Sequence, residues 1–189
     1  MREFILISNQ GRTSGNFNDL MKAGRMDIVI HSLINAFFIS NKTREDVIFH
    51  IFLNGPPDPV KHIEIIYNED TPFSKKDIGG LIKKTLFKYK KGKKVEVFPG
   101  VFIEKRSFQD HFKELKGRNI YVLDKKGILT EKFDENPVFI LGDHEGLTKE
   151  DKKFIRKNVN NLISLGKEVY FTSQCITILN HYIDKNEEN

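Results

Sequence analysis

The segment PVFILGDHEGL, residues 137–147, carries the strongest fold signal in this chain. Its apolar run, Val138 to Leu141, has the length of a buried strand and stops at Gly142. A polar loop follows, and a helix signal begins at Thr148. In α/β proteins, a buried strand that ends in a glycine-bounded loop and leads into a helix often carries a ligand. The pattern also fits a turn whose glycines only permit tight bends, and these residues alone leave both interpretations open.

Strand and helix signals alternate along the chain, which predicts an α/β fold with a mainly parallel sheet. We predict strands at 4–7, 46–54, 62–67, 95–98, 101–104, 119–124, 137–141 and 161–165. We predict helices at 24–40, after a capping box at 74–77, at 107–115, after a cap at Thr148, and at 172–183. The segment 125–127 is predicted to be a turn. With no internal repeat and no clear boundary, residues 1–189 are predicted to form one domain.

The composition restricts the class of protein. Of the 189 residues, 39% are hydrophobic and 16 are Phe, which is enough for a hydrophobic core. The net charge of +5 favours a polyanionic partner such as nucleic acid. The lysine-rich segment 88–94 either contacts phosphates or is the solvated end of a helix.

The N-terminus and the cysteine usage point to a cytoplasmic protein. The apolar run near Met1 is too short for a signal peptide or a membrane span, so we expect no membrane association. The single cysteine, Cys175, excludes an intrachain disulfide and a zinc site built from cysteines. It lies on the apolar face of a predicted helix, where an inert, packed thiol is expected.

The sequence has none of several common catalytic motifs. It contains no GxGxxG after the first strand, no GxxxxGK[ST], no HExxH and no GxSxG. Asp143, His144 and Glu145 can each bind a metal, but adjacent residues rarely converge on one ion, and no second cluster supplies further ligands. We therefore expect no bound metal.

The predicted helix at 24–40 has a wide apolar face and a narrower polar stripe. Asp27, His31 and Asn35 are four residues apart and share this stripe, which either is solvated or lines a site. Arg25 and Asp27 lie at the start of the helix, where a carboxylate also suits the helix dipole. The helix start is therefore a candidate for either a structural or a functional role.

The motifs LGDHEG at 141–146 and SLG…TSQCITILNH at 164–181 resemble the C-terminal half of the SPOUT methyltransferases. The N-terminal half agrees, with MREFI at 1–5, AGRMDIVIHSLINAFFIS at 23–40 and TREDVIFHIFLNGPPDP at 43–59. In this order the motifs resemble the archaeal tRNA pseudouridine N1-methyltransferase family, TrmY. The resemblance covers nearly the whole chain and is poorest between residues 68 and 118.

The resemblance implies a SPOUT-like α/β fold with a C-terminal trefoil knot, a homodimer, and S-adenosylmethionine bound by the knot within about residues 137–189. It also implies methylation of N1 of pseudouridine 54 in the T-loop of tRNA. The cofactor-binding positions that it implies are Leu141, Gly142, Ser164, Leu165, Gly166, Thr172, Ser173 and Cys175. Arg25 and Asp27 match the family's Gly-Arg-Leu-Asp segment and are expected to lie near the target base as the catalytic residues.

A carboxylate near N1 of the base could accept its proton or orient the ring. Asp27 is the first candidate for this role. Asp143 is the second, although we expect it to cap its own loop. We expect RNA affinity to come from lysines and from Arg12, Arg25 and Arg44.

This chain departs from the family pattern at two places. The family often has cysteines flanking an arginine where this chain has residues 30–32, Ile-His-Ser, and a His-Ala-Asn-His-like run where it has residues 170–174. These differences leave open a SPOUT methyltransferase that acts on an rRNA pseudouridine or on another tRNA base. A non-catalytic RNA-binding dimer with the same fold is the third hypothesis.

Overall fold

The structure is a computed structural model that describes residues 1–187. The strands are β1 Arg2–Ser8, β2 Val47–Leu53, β3 Lys61–Ile66, β4 Val95–Phe98, β5 Val101–Glu104, β6 Ile120–Leu129, β7 Val138–Gly142 and β8 Leu162–Ser164. The helices are α1 Met26–Phe37, α2 Ile78–Phe87, α3 Phe108–Phe112, α4 Lys149–Asn158 and α5 Thr172–Glu187, and a 3-10 turn, Lys113–Leu115, follows α3. The predicted domain includes residues 188–189, which lie outside the described residues. None of the helices within residues 1–187 is long and apolar enough to cross a membrane.

One sheet contains all eight strands in the order β4-β5-β3-β2-β1-β7-β6-β8. Strands β2, β1, β7, β6 and β8 pair in parallel, whereas β3, β5 and β4 add antiparallel at one edge. The predicted α/β fold is confirmed, and the sheet is mixed: among the described residues, four strand pairs are parallel and three, at one edge, are antiparallel. The connections at residues 54–60 and 99–100 are too short for the crossover that a parallel pair needs, so they join antiparallel strands.

Alternating side chains build a hydrophobic core on each face of the sheet. From β1, Phe4 and Leu6 pack with α1, α2 and α5, whereas Ile5 and Ile7 pack on the opposite face with α3 and α4. The alternating residues of β7 divide between the two faces in the same way. Because helices cover both faces, the central strands are buried on both sides, which explains their continuous apolar sequences.

The cap predictions for the helices had different outcomes. As predicted, Thr148 caps α4, since its hydroxyl accepts a hydrogen bond from the Asp151 N–H at 3.0 Å. The capping box predicted at 74–77 is wrong. The Ser74 hydroxyl instead accepts from the N–H of Lys76 at 3.3 Å, which makes a local turn before α2 begins.

The turn predicted at 125–127 is also wrong, because β6 continues through it. The pairing of β6 with β8 shifts register between Leu123 and Ile128, so the irregular segment stays within the strand. This end of β6 is largely exposed, which is why its polar residues look like a turn in the sequence.

Buried and partly buried polar contacts connect helix α5 to α1 and to the start of β1. The Asn180 side chain donates to the Asn35 backbone carbonyl at 3.0 Å, and the Thr177 hydroxyl donates to the Asn35 side-chain oxygen at 2.8 Å, so Asn35 of the polar stripe serves in packing. Asp184 accepts from Arg2 at 2.8 Å and from both terminal nitrogens of Arg44 at 2.7 and 2.5 Å. The Arg44 side chain is only 11% exposed. The Arg44 guanidinium is therefore occupied within the fold, which argues against the expected contact of Arg44 with RNA.

Candidate functional site

The carboxyl ends of the parallel strands meet at one edge of the sheet, which is where open α/β sheets bind ligands. At this edge Ile7 of β1 pairs with Gly142 of β7, and the Asp143 N–H donates to the Ile7 carbonyl at 3.1 Å. Thr172, the first residue of α5, donates from its hydroxyl to the Gly142 carbonyl at 2.8 Å. Two of the three predicted cofactor loops are therefore in direct contact.

Gly142 can only be a glycine in this arrangement. A Cβ atom on residue 142 would lie 2.4 Å from the carbonyl carbon of Gly146 and 2.7 Å from the Leu147 nitrogen. The loop folds back over the end of β7 so closely that backbone touches backbone. Leu141, the preceding predicted residue, is 2% exposed and belongs to the core. This loop can therefore offer a ligand its backbone groups, as the resemblance implies.

The third predicted loop, Ser164–Gly166, lies at the same edge. Strand β8 is parallel to β6, and β6 separates it from β7, so Ser164 lies about 10 Å from the end of β7 at ordinary strand spacing. The Ser164 hydroxyl accepts from the Gly166 N–H at 3.2 Å and donates to its carbonyl at 3.0 Å. Gly166 has a φ of 133° and is exposed, while Leu165 packs partly against the core. The loop is thus a small, open backbone turn.

Asp143, the first residue of the polar triplet Asp143, His144 and Glu145 after β7, has a structural role. Asp143 is buried, and its carboxylate accepts from the Asn9 N–H at 2.8 Å and from the Glu145 N–H at 2.9 Å. The Asn9 side chain in turn donates to the Gly146 carbonyl at 2.8 Å. Asp143 therefore caps its loop, as expected, and joins it to the segment that follows β1.

Arg25 and Asp27 form a bidentate ion pair at the start of α1. The Arg25 Nε and Nη2 atoms both lie 3.0 Å from the Asp27 carboxylate. This hydrogen bond lowers the pKa of Asp27 and raises that of Arg25, and the charge of Asp143 also raises the pKa of Arg25. The pair therefore lies within electrostatic reach of the β7 loop. Asp27 stays ionised, and its carboxylate is preset as a hydrogen-bond acceptor.

The remaining predicted positions lie in the first turn of α5. Ser173 is half-buried, and its carbonyl accepts from the Thr177 hydroxyl at 3.1 Å. The half-buried thiol of Cys175 lies 3.8 Å from the Tyr170 carbonyl. Burial raises the pKa of Cys175 to about 11, so the thiol stays protonated near neutral pH. This supports the prediction of an inert, packed cysteine.

The edge that carries these loops is open and partly apolar. Val169, Tyr170 and Phe171 precede α5 and are 77%, 40% and 75% exposed. A cleft of about 220 Å³ lies at the opposite edge, between Met1, Pro137 and Ile183. The predicted site is therefore a surface of exposed loops in the single chain.

Sequence reasoning missed one cluster of chemically active side chains. His50, His62 and His111 come together beneath the sheet, with ligand atoms within 4.8 Å of one another. They are far apart in the sequence and follow no metal-ligand spacing. The only signal was the placement of His50 and His62 within apolar strand segments.

Comparison with known proteins identifies the chain's relatives. A family model described as "Putative SAM-dependent RNA methyltransferase" matches residues 1–188. This chain belongs to that family. The match covers both the N-terminal half, with Arg25 and Asp27, and the C-terminal loops.

Curated relatives in the family carry a specific name. The protein of Methanococcoides burtonii is 36% identical over 98% of this chain and 97% of its own length, and that of Methanocaldococcus jannaschii is 35% identical over 98% and 97%. The Methanopyrus kandleri protein is 32% identical over 97% and 93%. All three are named tRNA (pseudouridine(54)-N(1))-methyltransferase.

Among solved structures, Archaeoglobus fulgidus Nep1, bound to S-adenosylhomocysteine, aligns with a TM-score of 0.68 over 100% of this chain and 99% of Nep1. The sequence identity is only 14%, so this likeness shows the shared mixed α/β fold.

Proposed function

We propose that this protein is a tRNA (pseudouridine54-N1)-methyltransferase that uses S-adenosylmethionine. The observation that carries the proposal is the 32–36% identity, over nearly the full length, to relatives of that name. The site is consistent with it, because the implied cofactor loops and the Arg25–Asp27 pair lie at the carboxyl edge of the sheet.

The loops of this edge fit a cofactor that is held through backbone groups. Gly142 leaves no room for a side chain, and at Gly166 a Cβ would meet no atom of residues 1–187 within 4 Å. A ligand can therefore approach the backbone of the third loop from open space. S-Adenosylmethionine supplies a methyl group on a sulfonium centre. We assign its binding to the eight loop residues from Leu141 to Cys175 named above, with the Thr172 hydroxyl joining the start of α5 to Gly142.

Asp27 is the residue that we assign to the target base. Its ionised carboxylate, fixed by Arg25, can accept a hydrogen bond from N1–H of pseudouridine and so orient the ring. Because Arg25 lowers the pKa of Asp27, the carboxylate is a weak base, so it would accept the N1 proton only as the N1–methyl bond forms and the methyl–sulfur bond of the cofactor breaks. Arg25 remains half-exposed and can also contact a nearby phosphate.

We further propose that the enzyme is a homodimer. The exposed Val169, Tyr170 and Phe171 form an apolar surface beside the cofactor loops, and a second subunit would bury it. Such a subunit would also enclose a site that is open in the single chain. The dimer would bring the helix start of one subunit toward the loops of the other.

We also propose the C-terminal trefoil knot within a single catalytic domain. After β7, which lies between β1 and β6, the chain passes through α4 on one face of the sheet to β8 beyond β6. It then returns through α5 on the other face and contacts Gly142 again. This path supports a knotted crossing of residues 137–187. Since the proposed substrate is tRNA, we place the enzyme in the cytoplasm.

Two measurements separate this function from its alternatives. Calorimetry with S-adenosylmethionine should show one site per chain, and a chain without such binding would be the non-catalytic RNA-binding dimer. Transfer of an isotope-labelled methyl group should then be compared between tRNA and rRNA fragments that contain pseudouridine. The departures from the family pattern at His31 and at residues 170–174 leave an rRNA substrate open. Preference for the rRNA fragments would overturn the assigned substrate.

A further inference from the structure

Three buried histidines converge on the face of the sheet that packs against α3. His50 on β2, His62 on β3 and His111 on α3 are 2%, 1% and 5% exposed. His50 Nδ1 lies 2.9 Å from His62 Nε2, and the rings of His50 and His111 are 4.3 Å apart. Glu3, near the start of β1, approaches the cluster, which therefore lies away from the carboxyl edge that carries the proposed cofactor loops.

Carboxylates fix the orientation of two of these rings. Glu3 Oε1 lies 3.2 Å from His50 Nε2, and Glu104 Oε1 lies 3.1 Å from His62 Nδ1. Each carboxylate requires an N–H on the ring nitrogen that it faces. The other nitrogens, His50 Nδ1 and His62 Nε2, then carry lone pairs and face each other. Two lone pairs at 2.9 Å repel unless a cation lies between or beside them.

His111 adds a third ring that lacks a partner. Both of its ring nitrogens are buried and make no hydrogen bond within residues 1–187. The nearest carboxylate oxygens are Glu3 Oε1, 3.9 Å from its Nε2, and Glu114 Oε2, 3.8 Å from its Nδ1. A buried imidazole without a partner is unfavourable, because its polar atoms lose their hydrogen bonds to water. One ring nitrogen of His111 lies within 4.8 Å of a ring nitrogen of each of the other two histidines.

We propose that His50, His62 and His111 bind a zinc ion that cross-links β2, β3 and α3. Zinc binds imidazole nitrogen at about 2.0–2.1 Å, so the nitrogens of a tetrahedral site lie about 3.3 Å apart. His50 Nδ1 and His62 Nε2 are 2.9 Å apart, somewhat closer than that value, and all three ligand atoms lie within 4.8 Å of one another. A water molecule would complete the coordination.

The surroundings have the features of a metal site. Metal-binding histidines usually donate their outer N–H to a carboxylate, as Glu3 and Glu104 allow here. The ring of Phe52 stacks on His62 with centroids 4.4 Å apart and shields the cluster from water. Arg118 lies 3.1 Å from Glu3 and balances its charge. A cluster of this kind has a structural role, since it connects the parallel and antiparallel parts of the sheet.

A shared proton is the competing explanation for the close nitrogens. A proton shared by His50 and His62 would, however, leave both buried nitrogens of His111 without a partner within residues 1–187. A metal ion would bind all three rings, whose ligand atoms lie within 4.8 Å of one another. The zinc proposal also revises the expectation of no bound metal, which rested on Asp143, His144 and Glu145.

The proposal is tested by metal analysis of the full chain purified without chelators. We expect about one zinc per chain by mass spectrometry of the metal. Chelator treatment should remove it, and zinc at a hundredfold excess over Kd should then raise Tm by about 5–10 °C. Cobalt(II) should give the visible absorption of a tetrahedral nitrogen site. A chain that contains no metal, gives no such absorption with cobalt and keeps the same Tm with zinc would overturn the proposal.

Variants assign the site to these side chains. H111F keeps an aromatic ring in the core and should abolish stoichiometric zinc, whereas H181F, at an exposed position on α5, should keep it. If H111F does not fold, E104Q provides the test, because loss of an outer carboxylate should weaken zinc binding about 10- to 100-fold. Full zinc content in folded H111F would contradict the assignment, and so would unchanged zinc affinity in E104Q if H111F does not fold. Neither readout depends on methyl transfer.

Discussion

The Thr172 hydroxyl donates a hydrogen bond to the Gly142 carbonyl at 2.8 Å and so joins the start of α5 to the end of β7. These residues are 30 positions apart in the chain, and each lies in a predicted cofactor loop. The bond fixes the spacing of two loops whose backbones would hold the cofactor. It is a side-chain bond, so it can be removed without altering the backbone.

We expect Thr172→Val to weaken cofactor binding about fivefold, since one neutral hydrogen bond contributes about 1 kcal/mol. Calorimetry with S-adenosylmethionine measures the effect. The matched control is Thr85→Val, which removes a hydroxyl-to-carbonyl hydrogen bond of the same length, 2.8 Å, within α2 and away from the loops. Equal affinities for the two variants would show that the Thr172 bond does not shape the site.

Asp27→Asn should reduce kcat about 10²–10⁴-fold and leave the Kd for the cofactor unchanged. The amide removes the charge that Arg25 holds in place but keeps the size of the side chain. Single-turnover methylation of tRNA gives the rate. Asp19→Asn, which changes an exposed carboxylate in the preceding loop, is the control. Undiminished turnover in the Asp27 variant would remove Asp27 from the mechanism.

Asp184→Asn should lower Tm by about 2–4 °C at pH 7, which corresponds to about 1 kcal/mol for a partly exposed ion pair. Burial alone would raise the pKa of Asp184, but hydrogen bonds from Arg44 and Arg2 lower it overall. A carboxylate whose pKa is lower in the folded state stabilises the fold above its unfolded pKa, which is near 4.

That contribution disappears as the pH falls through the folded pKa, so the Tm difference between variant and wild type should vanish in strong acid. Thermal melts from pH 7 downward measure this convergence. A difference that stays constant with pH would mean that the variant acts through packing and not through charge.

Binding of tRNA should weaken steeply with salt, because a protein of net charge +5 gains affinity by releasing counterions from phosphates. Exposed lysines after α2, in the segment 88–94, are candidates for these contacts, while Arg44 is not. Fluorescence anisotropy between about 50 and 200 mM salt measures the slope. A binding constant that is flat across this range would argue against a nucleic-acid substrate.

The sequence predicts what depends on local pattern. Each of the eight predicted strands and five predicted helices has a counterpart, because apolar runs, glycines and the Thr148 cap are local signals. Strand direction is not local, so the antiparallel edge was missed. Residues 125–127 were predicted to form a turn although β6 continues through them, because exposed strand edges and turns are rich in the same polar residue types.

The candidate site likewise has local features that the sequence predicts and tertiary contacts that it does not. Gly142 and Asp143 could be placed from the strand that precedes them, whereas their contacts with Thr172 and Asn9 depend on the tertiary fold. The histidine cluster could not be predicted from the sequence, because only the pairing of β2 with β3 and the packing of α3 bring its members together. Arg44 was expected to be available to RNA, whereas the fold places Asp184, 140 residues away in the sequence, beside it.

The central claim is best tested by the nucleoside composition of tRNA after incubation with the protein and S-adenosylmethionine. Two transcripts that differ only in carrying pseudouridine or uridine at position 54 are digested and analysed by mass spectrometry. We expect N1-methylpseudouridine from the first transcript and no methylated product from the second. Methylation of the uridine transcript, or of a base other than pseudouridine 54, would contradict the assigned function.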